Sequence, residues 1–206
     1  MKITLTDAGK RFNRDWIFRH LSYTFIAGRG YAITGPNGSG KSTLLQSISG
    51  SIGLSEGRIH YYAKEEAVPT DQAYQHLSLA APYMELIEEM TATEFLSFHQ
   101  VFKPFLPGLS INEILEQVQL KNSAHKQIRY YSSGMKQRLK LAQAIFTNCP
   151  FLLLDEPCTN LDAEGIQMYQ QIINRFSKDR LVIVSSNDQA EYLFCEEKIE
   201  IRDFKK

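Results

Sequence analysis

Eight consecutive residues, Gly35-Pro36-Asn37-Gly38-Ser39-Gly40-Lys41-Ser42, have the types and spacing to hold a triphosphate. They fit the pattern G-x-x-x-x-G-K-[S/T], in which glycines let the backbone turn its N–H groups inward and a helix N-terminus adds its positive dipole end. Lys41 is placed to reach the β- and γ-phosphates as a point charge, and the Ser42 hydroxyl to ligate Mg²⁺. A second group is Asp155-Glu156-Pro157, closing the apolar run Phe151-Leu152-Leu153-Leu154. A carboxylate at the carboxyl end of a buried strand faces the ligand edge of an open α/β sheet. Asp155 there suits a Mg²⁺ shell, and Glu156 suits a general base or a positioner for water in line with the γ-phosphate. A third group, Ser132-Ser133-Gly134 before Met135-Lys136-Gln137-Arg138, offers a second anion-binding helix terminus. One nucleotide needs one cradle, so the spare one points to service of another subunit's nucleotide. Taken alone, the last two groups also read as a strand meeting an acidic turn and an ordinary Ser-capped helix. The phosphate loop tips both towards function.

The elements that must position these residues follow from apolar patterning. Tyr31-Ala32-Ile33-Thr34 reads as the strand feeding the phosphate loop, and Thr43 to Ile48 as the first turns of the helix leaving it. Ile3–Thr6 and Leu21–Phe25 read as strands with a loop from Asp7 to Arg19 between them, and Gly57–Tyr62 as a third in the same antiparallel layer. Leu77–Ala80, Phe151–Leu154, Leu181–Val184 and an edge segment at Ile199–Ile201 complete the strands. From Tyr83 to Asn148 the pattern turns helical. Thr91-Ala92-Thr93-Glu94 and Ser110-Ile111-Asn112-Glu113 are capping boxes, the first opening a helix to Phe102 and the second one to Val118. A further helix is expected over Met135–Thr147, and another behind Asp162. The fold class is α/β: a P-loop NTPase parallel-sheet core (1–82 and 149–206) with an antiparallel β layer and an inserted helical lobe (83–148), forming a single domain over 1–206.

Bulk properties narrow the function. The 206 residues carry 23 Lys plus Arg against 23 Asp plus Glu, a formal net charge of zero. With neither a basic excess nor a basic stripe, a nucleic-acid partner is not expected. The pairs Lys10-Arg11 and Lys205-Lys206 read as solvated surface. Three widely spaced cysteines, Cys149, Cys158 and Cys195, fit neither a disulfide framework nor a zinc site and suit a reducing compartment. No signal peptide and no uncharged apolar run of membrane-spanning length is present, so any membrane crossing is left to another protein.

The three groups in this order resemble the ATP-binding subunit of an ATP-binding cassette (ABC) transporter, over essentially the whole chain. Tyr131-Ser132-Ser133-Gly134-Met135 sits where that family has Leu-Ser-Gly-Gly-Gln, matching at Ser132 and Gly134, and Thr159-Asn160-Leu161-Asp162 resembles its D-loop. The resemblance implies that residues 35–43, Thr43 included, bind the nucleotide, and that Phe12 stacks on adenine, with Trp16 the second candidate. It implies ATP and Mg²⁺ as cofactors, with Ser42 and Asp155 on the metal and Lys41, Glu156 and Asn187, the last at the family's histidine position, catalytic. It also implies a head-to-tail homodimer or paired cassette in which Ser132, Ser133 and Gly134 act in trans. Integral-membrane permease subunits would be the other partners. The chain would then be cytoplasmic, peripheral on the inner face of the cell membrane through a permease. Tyr83, Met84, Leu86, Phe95 and Phe98 are candidates either for a groove receiving a permease helix or for lobe core.

Two positions depart from the family. Pro82 stands where a glutamine is expected, and offers neither an amide side chain nor an N–H; Gln75 and Glu85 are the nearest polar substitutes. Asn187 stands where a histidine is expected, and can donate a hydrogen bond but carry no proton. The expected function is ATP hydrolysis coupling dimer closure to movement of a permease; the alternative is a nucleotide-gated dimerising module with weak hydrolysis. A nucleic-acid or ribosome-acting ATPase is disfavoured by the lack of basic arms or tandem cassettes, and a GTPase by the lack of Asn-Lys-x-Asp.

Overall fold

The computed structural model describes residues 1–64 and 66–205; Lys206, read above as solvated surface, lies outside the described residues. The chain forms two compact units, one from residues 1–79, 149–155 and 178–206, the other from 80–148 and 156–177.

The first unit holds two sheets. β1 (Lys2–Phe12) and β2 (Asp15–Ile26) form an antiparallel hairpin running to the pair Phe12↔Asp15. The segment Asp7–Arg19 is therefore ladder rather than the loop its pattern indicates. Three register shifts interrupt this ladder, and Asp7 and His20, bonded at 2.8 Å, both take positive φ. Bulges of this kind destroy the period-2 alternation on which strand recognition depends. β4 (Glu56–Ala63) pairs antiparallel with β1, and β5 (Glu66–Val68) adds to its far side, giving the order β2-β1-β4-β5. β5 is too short and charged to show in the sequence.

The second sheet holds the strand that feeds the phosphate loop. Its order is β6-β7-β8-β3-β9, from β3 (Gly30–Thr34), β6 (Leu77–Ala80), β7 (Phe151–Asp155), β8 (Leu181–Ser185) and the edge strand β9 (Glu197–Glu200). The pairs β7/β8, β8/β3 and β3/β9 are all parallel. β7 and β8 are buried at every residue, as strands covered on both faces must be. α1 (Lys41–Ile48) buries Leu44, Leu45 and Ile48 against Phe151, Leu153, Leu181, Ile183 and Ile33 in one core that also takes Ile3, Phe18, Phe25 and Tyr61 from the antiparallel sheet.

The second unit is helical: α2 (Ala92–Phe102), α3 (Ile111–Gln117), α4 (Ser133–Phe146) and α5 (Ala163–Phe176). Both capping boxes form, with Thr91 N–H donating to Glu94 at 2.8 Å and Ser110 N–H to Glu113 at 2.7 Å. Asp162 caps α5 by accepting from the Gly165 N–H at 2.8 Å. α4 begins two residues earlier than the apolar pattern places it, because Ser132 and not a later residue is its cap. Between α2 and α4, His99 is bonded to Thr147 at 2.8 Å and Gln143 at 3.0 Å, and burial pulls its pKa down to about 4.

Candidate functional site

The phosphate loop lies between the carboxyl end of β3 and the start of α1. Gly40, the residue before the helix, has φ 107°, and a Cβ there would lie 2.2 Å from the Ile17 side chain. Both facts exclude any other residue, so the last glycine is dictated by backbone handedness and by the packing of β2 on the loop. Among the described residues no side chain caps α1, which leaves its first-turn N–H groups open to a ligand. Lys41 is buried and donates to the Gly35 carbonyl at 3.0 Å, and also reaches the Pro36 carbonyl at 3.4 Å. Ser42 and Thr43 follow on the first turn, half-buried, while Pro36, Asn37 and Gly38 form the exposed rim and Ser39 is tucked under it.

Asp155 ends β7, 2% exposed. Burial raises its pKa, opposed by the nearby hydroxyls of Ser185 and Ser42 and by the Lys41 charge. Its Oδ1 nevertheless meets no partner in hydrogen-bond geometry among the described residues. A buried carboxylate oxygen without a partner, facing a serine hydroxyl and an ammonium, fits the hard, oxygen-seeking Mg²⁺. Ser42 and Asp155 would hold that cation. Asn187, just past β8, donates from its amide to Asn37 of the phosphate loop at 3.0 Å. Nothing in the sequence marks that pairing, since the two residues are 150 positions apart.

Phe12 lies at the exposed tip of the β1–β2 hairpin, with the Lys10 ammonium 5.0 Å over its ring. Trp16 lies between the guanidiniums of Arg11 (5.5 Å) and Arg19 (4.5 Å). The Gln75 carbonyl accepts from the thiol of Cys149, two residues before β7 begins and roughly 20 Å along the chain from Asp155, so Gln75 is no substitute for the missing glutamine.

In the second unit, Glu156 takes φ 42° directly after Asp155, and its carbonyl accepts from the Thr159 N–H at 3.1 Å. Left-handed backbone at a non-glycine residue is the kind of local strain that collects at functional positions. Ser132, Ser133 and Gly134 line a cavity of about 450 Å³ together with Arg138 and residues 160–162. A Cβ on Gly134 would lie 3.0 Å from the Asn160 carbonyl, so glycine allows the helix start and the 156–162 turn to approach. The Arg138 guanidinium, bonded to Asp162 at 3.2 Å and to Gln119, gives this cavity its cation. Arg138 lies one turn beyond Gly134 and so on the same helix face, a spacing visible in the sequence.

Around the other departure, the Pro82 carbonyl accepts from Lys140 Nζ at 2.8 Å. Glu85 lines a separate cavity of about 360 Å³ with Met84, Leu86, Glu88, Lys136 and Lys140. Phe95 is buried lobe core, whereas Tyr83 and Phe98 are about half exposed, and α2 also presents Val101 and Phe102 to solvent.

The sequence model of the ABC transporter family matches residues 18–159. The chain belongs to that family. It is 31% identical over 190 residues to YybJ, an uncharacterized ABC transporter ATP-binding protein of Bacillus subtilis (strain 168), covering 92% of this chain and 86% of YybJ. It is 30% identical over 179 residues to the cytochrome c biogenesis ATP-binding export protein CcmA of Brucella abortus, covering 87% and 81%. Against the ABC transporter ATP-binding proteins YcbN and YhcH of Bacillus subtilis it spans only 56% and 65% of their lengths. The fold matches that of a putative ABC transporter ATP-binding protein from Pyrococcus furiosus with TM-score 0.82, 20% identity and complete coverage of both chains. A dimeric bacterial ABC transporter cassette matches equally, with TM-score 0.82, 22% identity and coverage of 97% and 94%. Members of this family bind ATP, typically with Mg²⁺. No helix of the cassette among the described residues is long and apolar enough to cross a membrane.

Proposed function

We propose that the cassette, acting as one domain over its whole length, is the ATP-hydrolysing subunit of an ABC transporter. The observation that carries this reading is Asp155: a buried carboxylate with an unbonded oxygen, beside Ser42 and Lys41 of the phosphate loop. Lys41 and the first-turn N–H groups of α1 would hold the phosphates, and Gly35 to Thr43 would wrap them. Mg²⁺, held by Ser42 and Asp155, would neutralise charge developing on the transferred phosphate. Glu156 would take the proton of the attacking water. Ser132, Ser133 and Gly134, in a cavity whose cation is Arg138, would complete the site of a second copy or a paired cassette. Phe12 would stack on the adenine from the hairpin tip. The exposed Phe98, Val101 and Phe102 on α2 support docking of an integral-membrane permease, which would place the cassette on the inner face of the cell membrane.

A second reading, a nucleotide-gated dimerising module with slow hydrolysis, is favoured by the bond tying Asn187 to Asn37 and by Pro82 in place of a glutamine. Steady-state Mg-ATP hydrolysis decides between them, comparing wild type with Glu156→Gln, alone and with the permease. The enzyme reading expects Glu156→Gln to lose roughly 10²–10³-fold in turnover, retain nucleotide affinity and form an ATP-stabilised dimer by light scattering. Equal, negligible turnover in both proteins establishes the second reading instead.

A further inference from the structure

β8 lies between β7 and β3 in the parallel sheet, so its last residue stands between Asp155 and the root of the phosphate loop. That residue is Ser185. It pairs in register with Asp155 on one side and with Ile33 on the other, and the next N–H, of Ser186, donates to the Ile33 carbonyl at 3.1 Å. In-register neighbours on parallel strands project to the same face. Here that is the face packed by α1, since Leu153, Ile183 and Ile33 share its core with Leu44 and Leu45.

Every other residue of β8 is Leu, Val or Ile, and Ser185 is as buried as they are, at 0% exposure. Its hydroxyl lies close enough to the Asp155 carboxyl group to oppose the effect of burial on it, yet neither that Oγ nor the Asp155 Oδ1 completes a hydrogen bond of good geometry among the described residues. Burying an unsatisfied hydroxyl is costly, and an aliphatic side chain would avoid that cost. Two polar atoms without well-formed hydrogen bonds thus sit on adjacent strands, on the face that carries Ser42 and Lys41. Outer-sphere groups that orient a liganding carboxylate commonly set metal affinity by tenfold or more.

We infer that Ser185 is a positioning residue for the divalent cation, its hydroxyl fixing the Asp155 carboxylate so that Oδ1 is presented to the cation and its water shell. The inference rests on the nucleotide-and-cation reading of the phosphate loop given above. Ser185 touches neither the nucleotide nor the reacting atoms in this role; it acts through Asp155.

The test compares the affinity of a non-hydrolysable ATP analogue with and without Mg²⁺, by calorimetry or fluorescence, in wild type, Ser185→Ala and Ser185→Thr. Wild type is expected to gain affinity from Mg²⁺. Ser185→Ala should lose about tenfold of that gain while its affinity in EDTA stays within twofold of wild type. Ser185→Thr, which keeps the hydroxyl, should restore the gain. An undiminished Mg²⁺ gain in Ser185→Ala overturns the inference. So does an equal loss with and without Mg²⁺, or a loss that Thr fails to rescue, since either assigns Ser185 to packing alone. If wild type binds the analogue but shows no Mg²⁺ gain, the cation role of Asp155 falls together with that of Ser185. If wild type binds no analogue at all, the nucleotide reading itself fails.

Discussion

Two helices of the cassette begin at turns suited to an anion, and they are built differently. α1 starts behind a left-handed Gly40 with no side-chain cap, a buried Lys41 folded over the loop and a buried Asp155 nearby. α4 starts behind Ser132, whose hydroxyl already takes the Met135 N–H, and its cation, Arg138, is already paired with Asp162. The first terminus has uncapped donors and sets an ammonium beside a carboxyl group, so under the proposed function it would hold the triphosphate and its metal. The second has its strongest groups engaged and retains only a cradle of small residues. Under the proposed function it would complete a site presented to it rather than capture a nucleotide.

The sharpest way to break this contrast is to damage each terminus in turn. Lys41→Ala should weaken ATP binding by roughly a hundredfold or more, because a charge-assisted contact to phosphate is lost from a buried position. Gly134→Asp places a carboxylate at the second terminus, with its Cβ 3.0 Å from the Asn160 carbonyl. It should leave equilibrium ATP binding by the isolated chain within about threefold while removing ATP-dependent dimerisation and about 10²-fold of turnover. Fluorescent-nucleotide titration and light scattering separate the two. Equal loss of binding in both variants would show that α4 serves its own chain's nucleotide.

The contrast was only partly legible in the sequence. The phosphate loop, the Asp155 strand end and both capping boxes were readable because each depends on residues within a few positions of one another: glycines at fixed offsets, an apolar run with one carboxylate, a Thr or Ser three before a Glu. The β1–β2 ladder was not readable, because its bulges scramble the alternation from Asp7 to His20. Nor were Ser185 and the Asn37–Asn187 bond, which arise from strand register and from residues distant in sequence. Arg138 was within reach, since its spacing from Gly134 is that of one helical turn.

A smaller effect separates the two units by pH. Burial, with Lys103 adding to it, holds the His99 pKa at about 4 against an ordinary 6.5. The unfolded chain therefore takes up the proton first. The stability that neutral His99 contributes is complete above pH 6.5, falls as the pH drops from about 6.5 towards 4, and levels off below. Discounted for partial exposure, the loss is about 1–2 kcal/mol. Hydrogen exchange at pH 5 against pH 7.5 should show α2 and α4 loosening while α1 is little changed, and His99→Gln should flatten that difference. Equal loosening of α1 would show that acid acts on the cassette as a whole.

The smallest expected effect concerns the exposed bond by which Asn187 reaches the phosphate loop. The amide of Asn187 donates to Asn37 at 3.0 Å, so the end of the Asp155-bearing sheet is tied to the loop rim by one neutral hydrogen bond. Such a bond contributes about 0.5–1.5 kcal/mol, and less where water competes. Asn187→Ala and Asn37→Ala should each weaken Mg-ATP binding two- to fivefold, and the double variant should do no worse than either single, giving a coupling of about 0.5–1 kcal/mol. A family histidine restored as Asn187→His should act on turnover and leave affinity nearly unchanged, because it brings a proton-carrying ring that the amide lacks. If instead the two alanine variants add, the two amides act independently. The first terminus then owes nothing to the segment after β8, and its grip on the nucleotide would come from the loop, Lys41 and Asp155 alone.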